Sequence, residues 1–137
     1  MRSTFQSLLW QVSVPRPWHA QKCEHCAEFT QPEAAGALHI SGALKQHDDV
    51  SDDETRAELQ KDCPPDTEFE RARFGDFSGY GAEYVDWNDS RYWKKWFVRS
   101  GRVLLFITYN CKPGDEELEM AQVCQILSSL ECRDDDA

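Results

Sequence analysis

The stretch FERARFGDFSGYGAEYVDWNDSRYWKKWFVRSGRVLLFITYN, residues 69–110, decides how this chain folds. Its apolar positions recur with a period of two, and turn chemistry cuts it into four runs: Phe69–Phe77, Gly79–Trp87, Tyr92–Arg99 and Arg102–Asn110. Gly75 and Gly79 bracket the first bend, Trp87-Asn88-Asp89-Ser90 supply a turn with polar caps, and Ser100-Gly101 form a tight hairpin. Joints this short connect antiparallel neighbours. Val103-Leu104-Leu105-Phe106-Ile107 is apolar on both faces, the pattern of a central strand covered on both sides.

Upstream, Ser51-Asp52-Asp53-Glu54 reads as a capping box. The Ser51 hydroxyl can accept from the third helical amide while Glu54 reaches back, and Asp52 and Asp53 suit the helix dipole. The helix is expected to run to about Asp62 and to stop before Pro64-Pro65; its apolar side (Ala57, Leu59, Cys63) is thin, so it belongs on the surface. Before it, Leu8, Trp10, Val12 and Val14 share one face of a first strand, which Pro15 and Pro17 stop. Cys23–Thr30 reads as a solvated second strand, paired with a third over Ala37–Leu44. Downstream, Lys112-Pro113-Gly114-Asp115 breaks the last strand. Asp115 is the expected N-cap of a second helix, which packs on the sheet through Met120, Val123, Cys124, Leu127 and Leu130. The residues after it, 131–137, are expected to be an acidic, frayed tail. The architecture expected is one α+β domain over residues 1–137, with a single antiparallel sheet of six or seven strands and two helices.

Composition narrows function by exclusion. The chain has 137 residues, 40% of them hydrophobic, enough for one core. No apolar run approaches the ~18 residues of a membrane span. Gln6, Ser7 and Gln11 interrupt the N-terminal apolar residues and no small-residue cleavage site follows, which points to the cytoplasm and to six free thiols. The net charge of −10 disfavours nucleic acid and anionic membrane and suits a basic protein partner. Residues 48–70 carry ten acids against Arg56 and Lys61, whereas residues 91–112 carry six bases and no acid, which predicts one acidic and one basic edge.

Tests for chemistry give little. Cys23-Glu24-His25-Cys26 is the nearest approach to a metal or redox motif, but a strand would point the two thiols to opposite faces; only a tight turn would bring them together. His39, His47 and Cys63 are the available completers of a metal set. Cys111 follows a strand end, yet nothing in the sequence puts His19 or His39 beside it, and a half-buried place at the sheet edge is the simpler expectation. Asp76, Glu83, Asp86 and Asp89 lie near one another along neighbouring strands and would be the pair-forming carboxylates. No phosphate loop, nucleophile elbow, zinc-protease helix or calcium loop occurs, and no cofactor is implied. Seven aromatics (Tyr80, Tyr84, Trp87, Tyr92, Trp93, Trp96, Phe97) crowd a short span among Arg91, Lys94 and Lys95. About half should be core, and those left outside, Trp87 first, would anchor a protein interface.

Gly75-Asp76-Phe77-Ser78-Gly79-Tyr80, Trp93-x-x-Trp96, Leu105-Phe106-Ile107-Thr108-Tyr109-Asn110 and the closing Ile126-Leu127-Ser128-Ser129-Leu130 resemble segments of small bacterial proteins with a Mog1/PsbP-like fold. That fold is similar to the one used by some immunity proteins that protect bacteria from contact-delivered toxins. The resemblance spans about residues 36–130 and carries over no catalytic residue. It implies a non-catalytic immunity protein that occludes a cognate toxin with a basic surface. The candidate contacts are the acidic helix and its approach (Asp48, Asp49, Asp52, Asp53, Glu54) and the Asp86, Trp87, Asp89 turn. The alternatives are a small cysteine-dependent or metal-binding enzyme or regulator, and an adaptor of a secretion assembly.

Overall fold

The computed structural model describes residues 2–133. In chain order the elements are β1 (Arg2–Gln6), β2 (Trp10–Pro15), β3 (His19–Lys22), β4 (Ala27–Thr30), β5 (Gly36–Leu44), α1 (Asp52–Lys61), β6 (Glu70–Phe74), β7 (Phe77–Asp86), β8 (Arg91–Ser100), β9 (Val103–Cys111), α2 (Met120–Ser128) and β10 (Glu131–Cys132). The fold is α+β and its strand pairs are antiparallel, but the strands form two sheets where one was expected. A seven-stranded sheet runs β3-β4-β5-β9-β8-β7-β6, and a three-stranded one runs β1-β2-β10. The second sheet exists because both edges of β2 are taken by the segments at either end of the chain: β1 on one side, Glu131 and Cys132 on the other.

The four runs of residues 69–110 form β6 to β9 in consecutive antiparallel register, and β9 is the middle strand of seven. Its alternation serves two clusters. Val103, Leu105, Ile107 and Tyr109 enter the main core with Trp10, Val12, Val14, Phe29 and the buried face of α2 (Val123, Ile126, Leu127). Leu104 and Phe106 pack on the opposite face with Leu59, Tyr80, Ala82 and Phe97, under α1. The small sheet and α2 therefore cover one side of the large sheet, and α1 covers β7 and β8 on the other.

The capping box forms as read: Ser51 Oγ accepts from Glu54 N–H at 3.0 Å and Glu54 Oε1 from Ser51 N–H at 3.1 Å. With only Thr55 and Leu59 buried, α1 is a surface helix.

Several boundaries differ from the sequence reading. Leu8 lies in the β1–β2 turn, 88% exposed, because Ser7 N–H bonds back to the Trp10 carbonyl and reverses the chain before the buried face begins. The expected strand over Cys23–Thr30 starts only at Ala27; residues 23–26 form a tight turn after β3. The second helix starts at Met120 rather than after Asp115. Leu118 N–H bonds the Asp115 carbonyl in a separate turn, and Glu119 is drawn into the interior by Tyr109, Gly36 and Gln31. Of the expected frayed tail, Glu131 and Cys132 are held in β10 and Arg133 N–H bonds the Leu9 carbonyl at 2.9 Å; residues 134–137 lie outside the described residues. Among the described residues no helix is long and apolar enough to cross a membrane.

Candidate interaction surface

The acids at the start of α1 divide into two kinds. Asp52 accepts from the Tyr80 hydroxyl and from Arg71 at 3.3 Å, and pairs with Arg99 at 3.9 Å. The Tyr80 hydrogen bond, aided by the two guanidinium groups, holds its carboxyl below the ordinary range, and the same bond raises the Tyr80 phenol. Glu54 is bound by Lys45 at 2.7 Å and by the capping box, and its carboxyl is lowered by Lys45 first and Ser51 second. These two acids fasten α1 to the sheet and to the preceding loop. Asp48, Asp49 and Asp53 are exposed, and among the described residues none has a side-chain partner.

At the opposite end of α1 stands the β7–β8 turn. Asp86 accepts from Asn88 N–H at 2.9 Å, and Asp89 accepts from Arg91 N–H at 3.0 Å and from Trp93 Nε1 at 3.2 Å. Both aspartates thus build the turn in the manner of Asx turns. Held between them, Trp87 is 76% exposed. It borders a groove of about 540 Å3 between Asp62-Cys63-Pro64 and the end of β7 at Tyr84 and Val85. The ten residues of α1 span ~15 Å, and the helix is pinned at Asp52–Arg99 and at Asp62–Lys95. The two candidate patches therefore lie at opposite ends of one helix and are not merged into a single site.

The charge blocks do not occupy separate edges, as composition suggested. The acidic helix lies on the basic strand, where Asp62 pairs with Lys95 at 3.0 Å and Asp52 with Arg99; Glu83, on the neighbouring β7, pairs with Lys94 at 3.8 Å. Lys95 also sits over Trp93 and Tyr84 at 5.0 and 5.3 Å from the ring centres. Burial opposes its charge, but the Tyr84 hydroxyl and the Asp62 carboxylate outweigh it and raise the ammonium above the ordinary lysine value. Much of the basic run is neutralised within the fold, and Asp48, Asp49 and Asp53, without a side-chain partner among the described residues, remain as acidic surface. Of the seven clustered aromatics, Tyr80, Tyr92, Trp96 and Phe97 are buried, Tyr84 and Trp93 half-buried, and only Trp87 exposed.

The remaining sequence candidates are scattered. Cys111 is fully buried in the main core, where burial and nearby Glu116 and Asp115 raise its thiol. His39 points to the other sheet face, where it pairs with Glu28 at 3.0 Å. Asp76 accepts from Cys132 N–H before β7, Glu83 accepts from Tyr92, and Asp86 closes β7. A ten-residue strand separates Asp76 from Asp86 by ~30 Å, so Asp76 stands apart from Glu83, Asp86 and Asp89. Among the described residues no three His, Cys, Asp or Glu side chains converge as a metal site. Cys23 and Cys26, expected on opposite faces, instead face each other across the β3–β4 turn, and burial with the neighbouring Cys23 pushes the Cys26 thiol up to about 11. The adjacent polar pair Glu24-His25 was the signal for a turn there.

No family model and no curated protein matches the chain. Among solved structures, a protein of Bacteroides thetaiotaomicron VPI-5482, crystallised to 1.50 Å resolution, is similar in fold, with a TM-score of 0.70 and 17% identity over 98% of this chain. The match covers 49% of that protein, so this chain spans about half its length.

Proposed function

We propose that this chain is a non-catalytic binding protein, an immunity protein that occludes a cognate bacterial toxin in the cytoplasm, and that its fold is of the Mog1/PsbP-like kind. The observation that carries the reading is Trp87: a large aromatic, 76% exposed, on a turn stiffened by Asp86 and Asp89 beside an open groove. A rigidly presented tryptophan loses little entropy on binding and is the residue type most often found as an interface anchor. Asp48, Asp49 and Asp53, towards the other end of α1, supply exposed negative charge, which steers a basic partner and discriminates against acidic ones. The order of strands with a closing helix supports the fold assignment.

The test is affinity capture from the native cell, comparing the wild-type chain with Trp87→Ala under low-salt and high-salt washes, followed by neutralisation assays with the captured protein. Support would be one toxin-like partner with a basic surface, bound by the wild type, lost with Trp87→Ala, and neutralised only by the wild type. Retention of that partner by Trp87→Ala, or capture of none, would overturn the reading.

A further inference from the structure

The tip of the β3–β4 hairpin is Cys23-Glu24-His25-Cys26. Lys22 pairs with Ala27, so the register places Cys23 directly across from Cys26, and the Cys23 N–H donates to the Cys26 carbonyl at 2.7 Å. Opposed residues of a hydrogen-bonded antiparallel pair have Cα atoms ~5.5 Å apart, within the span of about 4.4–6.8 Å that a disulfide bridges. The Cys23 thiol lies close enough to Cys26 to help raise it. Both residues are half-buried and outside the apolar core, beside a recess of about 320 Å3 bounded by Gln6, Ser7 and Trp10. Two soft nucleophiles thus oppose each other at a turn that packing does not require them to build.

We propose that Cys23 and Cys26 are a dithiol that low-molecular-weight disulfides oxidise to an intramolecular disulfide, clasping the edge hairpin of the seven-stranded sheet. The Cys23 thiolate attacks one sulfur of the reagent. The reagent's S–S bond breaks, one thiolate leaves, and a mixed disulfide forms on Cys23. Cys26 then gives up its proton and attacks the Cys23 sulfur, expelling the second thiolate. The two cysteines lose two electrons and two protons, and the reagent is reduced to two thiols. The order follows from the turn: burial and the adjacent Cys23 keep Cys26 protonated, so Cys23 reacts first. Once Cys23 is a mixed disulfide its charge no longer raises Cys26, which attacks within the turn. The clasp matters because β3 is an edge strand, exposed at all four residues and paired only with β4.

The experiment treats the reduced full chain with glutathione disulfide at neutral pH, alkylates the remaining thiols and digests with trypsin. Cleavage after Lys22 and Lys45 yields residues 23–45, which contain these two cysteines and no other. The expected product is that peptide two hydrogens lighter and unalkylated. Cys26→Ser should stop at one glutathione adduct on Cys23. Cys23→Ser, in which burial still raises Cys26, should leave Cys26 modified more slowly than Cys23 is in Cys26→Ser. In the oxidised wild type the β3 amides should exchange more slowly with solvent than in the reduced protein. The proposal fails if the wild-type peptide keeps two alkylatable thiols while the exposed Cys124 is modified, or if it carries two glutathione adducts with no ring closure.

Discussion

Tyr109 Oη donates a 2.7 Å hydrogen bond to the carboxylate of Glu119, and both residues are buried. Glu119 also accepts from the Gly36 N–H at 3.0 Å and from the Gln31 amide, so its partners are all neutral donors. The carboxylate lies at the N-terminus of α2, where the helix dipole favours a negative charge. It joins the start of β5, the end of β9 and the start of α2, which is why the helix begins at Met120. Burial first and this bond second push the Tyr109 phenol far above its ordinary range. Tyr109→Phe should destabilise the fold by about 2 kcal/mol, the worth of a hydrogen bond to a charged acceptor. Glu119→Ala, which strands the buried Tyr109 hydroxyl and the half-buried Gly36 and Gln31 donors, should cost ~3 kcal/mol. Urea midpoints read both, and an unchanged midpoint for Tyr109→Phe would mean that the hydroxyl does not hold the node.

Gly81 faces Trp96 across β7 and β8, and the indole lies over the glycine. A Cβ at Gly81 would come within 2.4 Å of the Trp96 ring, a side chain fixed at 4% exposure with Phe74 edge-on at 5.6 Å. Neither neighbour has room to retreat. Gly81→Ala should therefore lower stability by ~1–3 kcal/mol, read as a fall in the thermal midpoint. Gly81→Ala combined with Trp96→Leu should recover part of the loss; if the double variant is no better than the sum of the singles, the clash is not the cause.

The part of the fold that was legible is the part governed by local rules. The strands β6 to β9 are delimited by turn residues and each has one face in the main core, and the capping box of α1 depends on four consecutive residues. The three-stranded sheet was not legible, since β10 is two residues long and is specified only by what it meets, Gln11 and Trp10. The same holds for Glu119, one acid among several in its loop, whose burial is set by Tyr109 and Gly36 rather than by its neighbours in sequence. For the candidate surface, Trp87 was readable from its turn. Which acids are free was not, because Asp52 differs from Asp53 only in facing Tyr80, Arg71 and Arg99.

The pinned acids give the stability a pH dependence of definite sign. The carboxyls of Asp52 and Glu54 titrate below their ordinary values of 3.8 and 4.5 in the folded chain. Over the interval between folded and unfolded values, the unfolded chain binds more protons, so stability falls as pH falls. Their contribution is complete above the ordinary values and is lost as the pH drops through the folded ones. The urea midpoint of the wild type should decline between roughly pH 5 and pH 2. Asp52→Asn, which keeps an acceptor for Tyr80 but no charge, should show a shallower decline. Identical slopes for the two proteins would show that Asp52 titrates alike in both states.

Charge reversal should separate steering acids from structural ones. Asp48 and Asp53 are exposed and have no side-chain partner among the described residues, but Asp48 holds φ 63° and Asp53 lies in the first turn of α1, so Asp48→Lys and Asp53→Lys should each lower stability by ~1 kcal/mol. Against a basic partner the same changes should slow association several-fold at low salt, and the difference should shrink as salt is raised above ~0.15 M. Asp52→Lys should behave in the opposite way: it places a cation against Arg71 and Arg99 and removes the Tyr80 acceptor, so it should loosen α1 before it affects any partner. Helix loosening is read from amide exchange over residues 52–61, and association from stopped-flow rates at two salt concentrations. Trp87→Ala completes the comparison, because an anchor acts after encounter: it should raise the dissociation rate and leave both the salt dependence and the thermal midpoint alone. If Asp53→Lys and Asp52→Lys alter exchange and association to the same degree, the division of these acids into free and pinned does not govern binding.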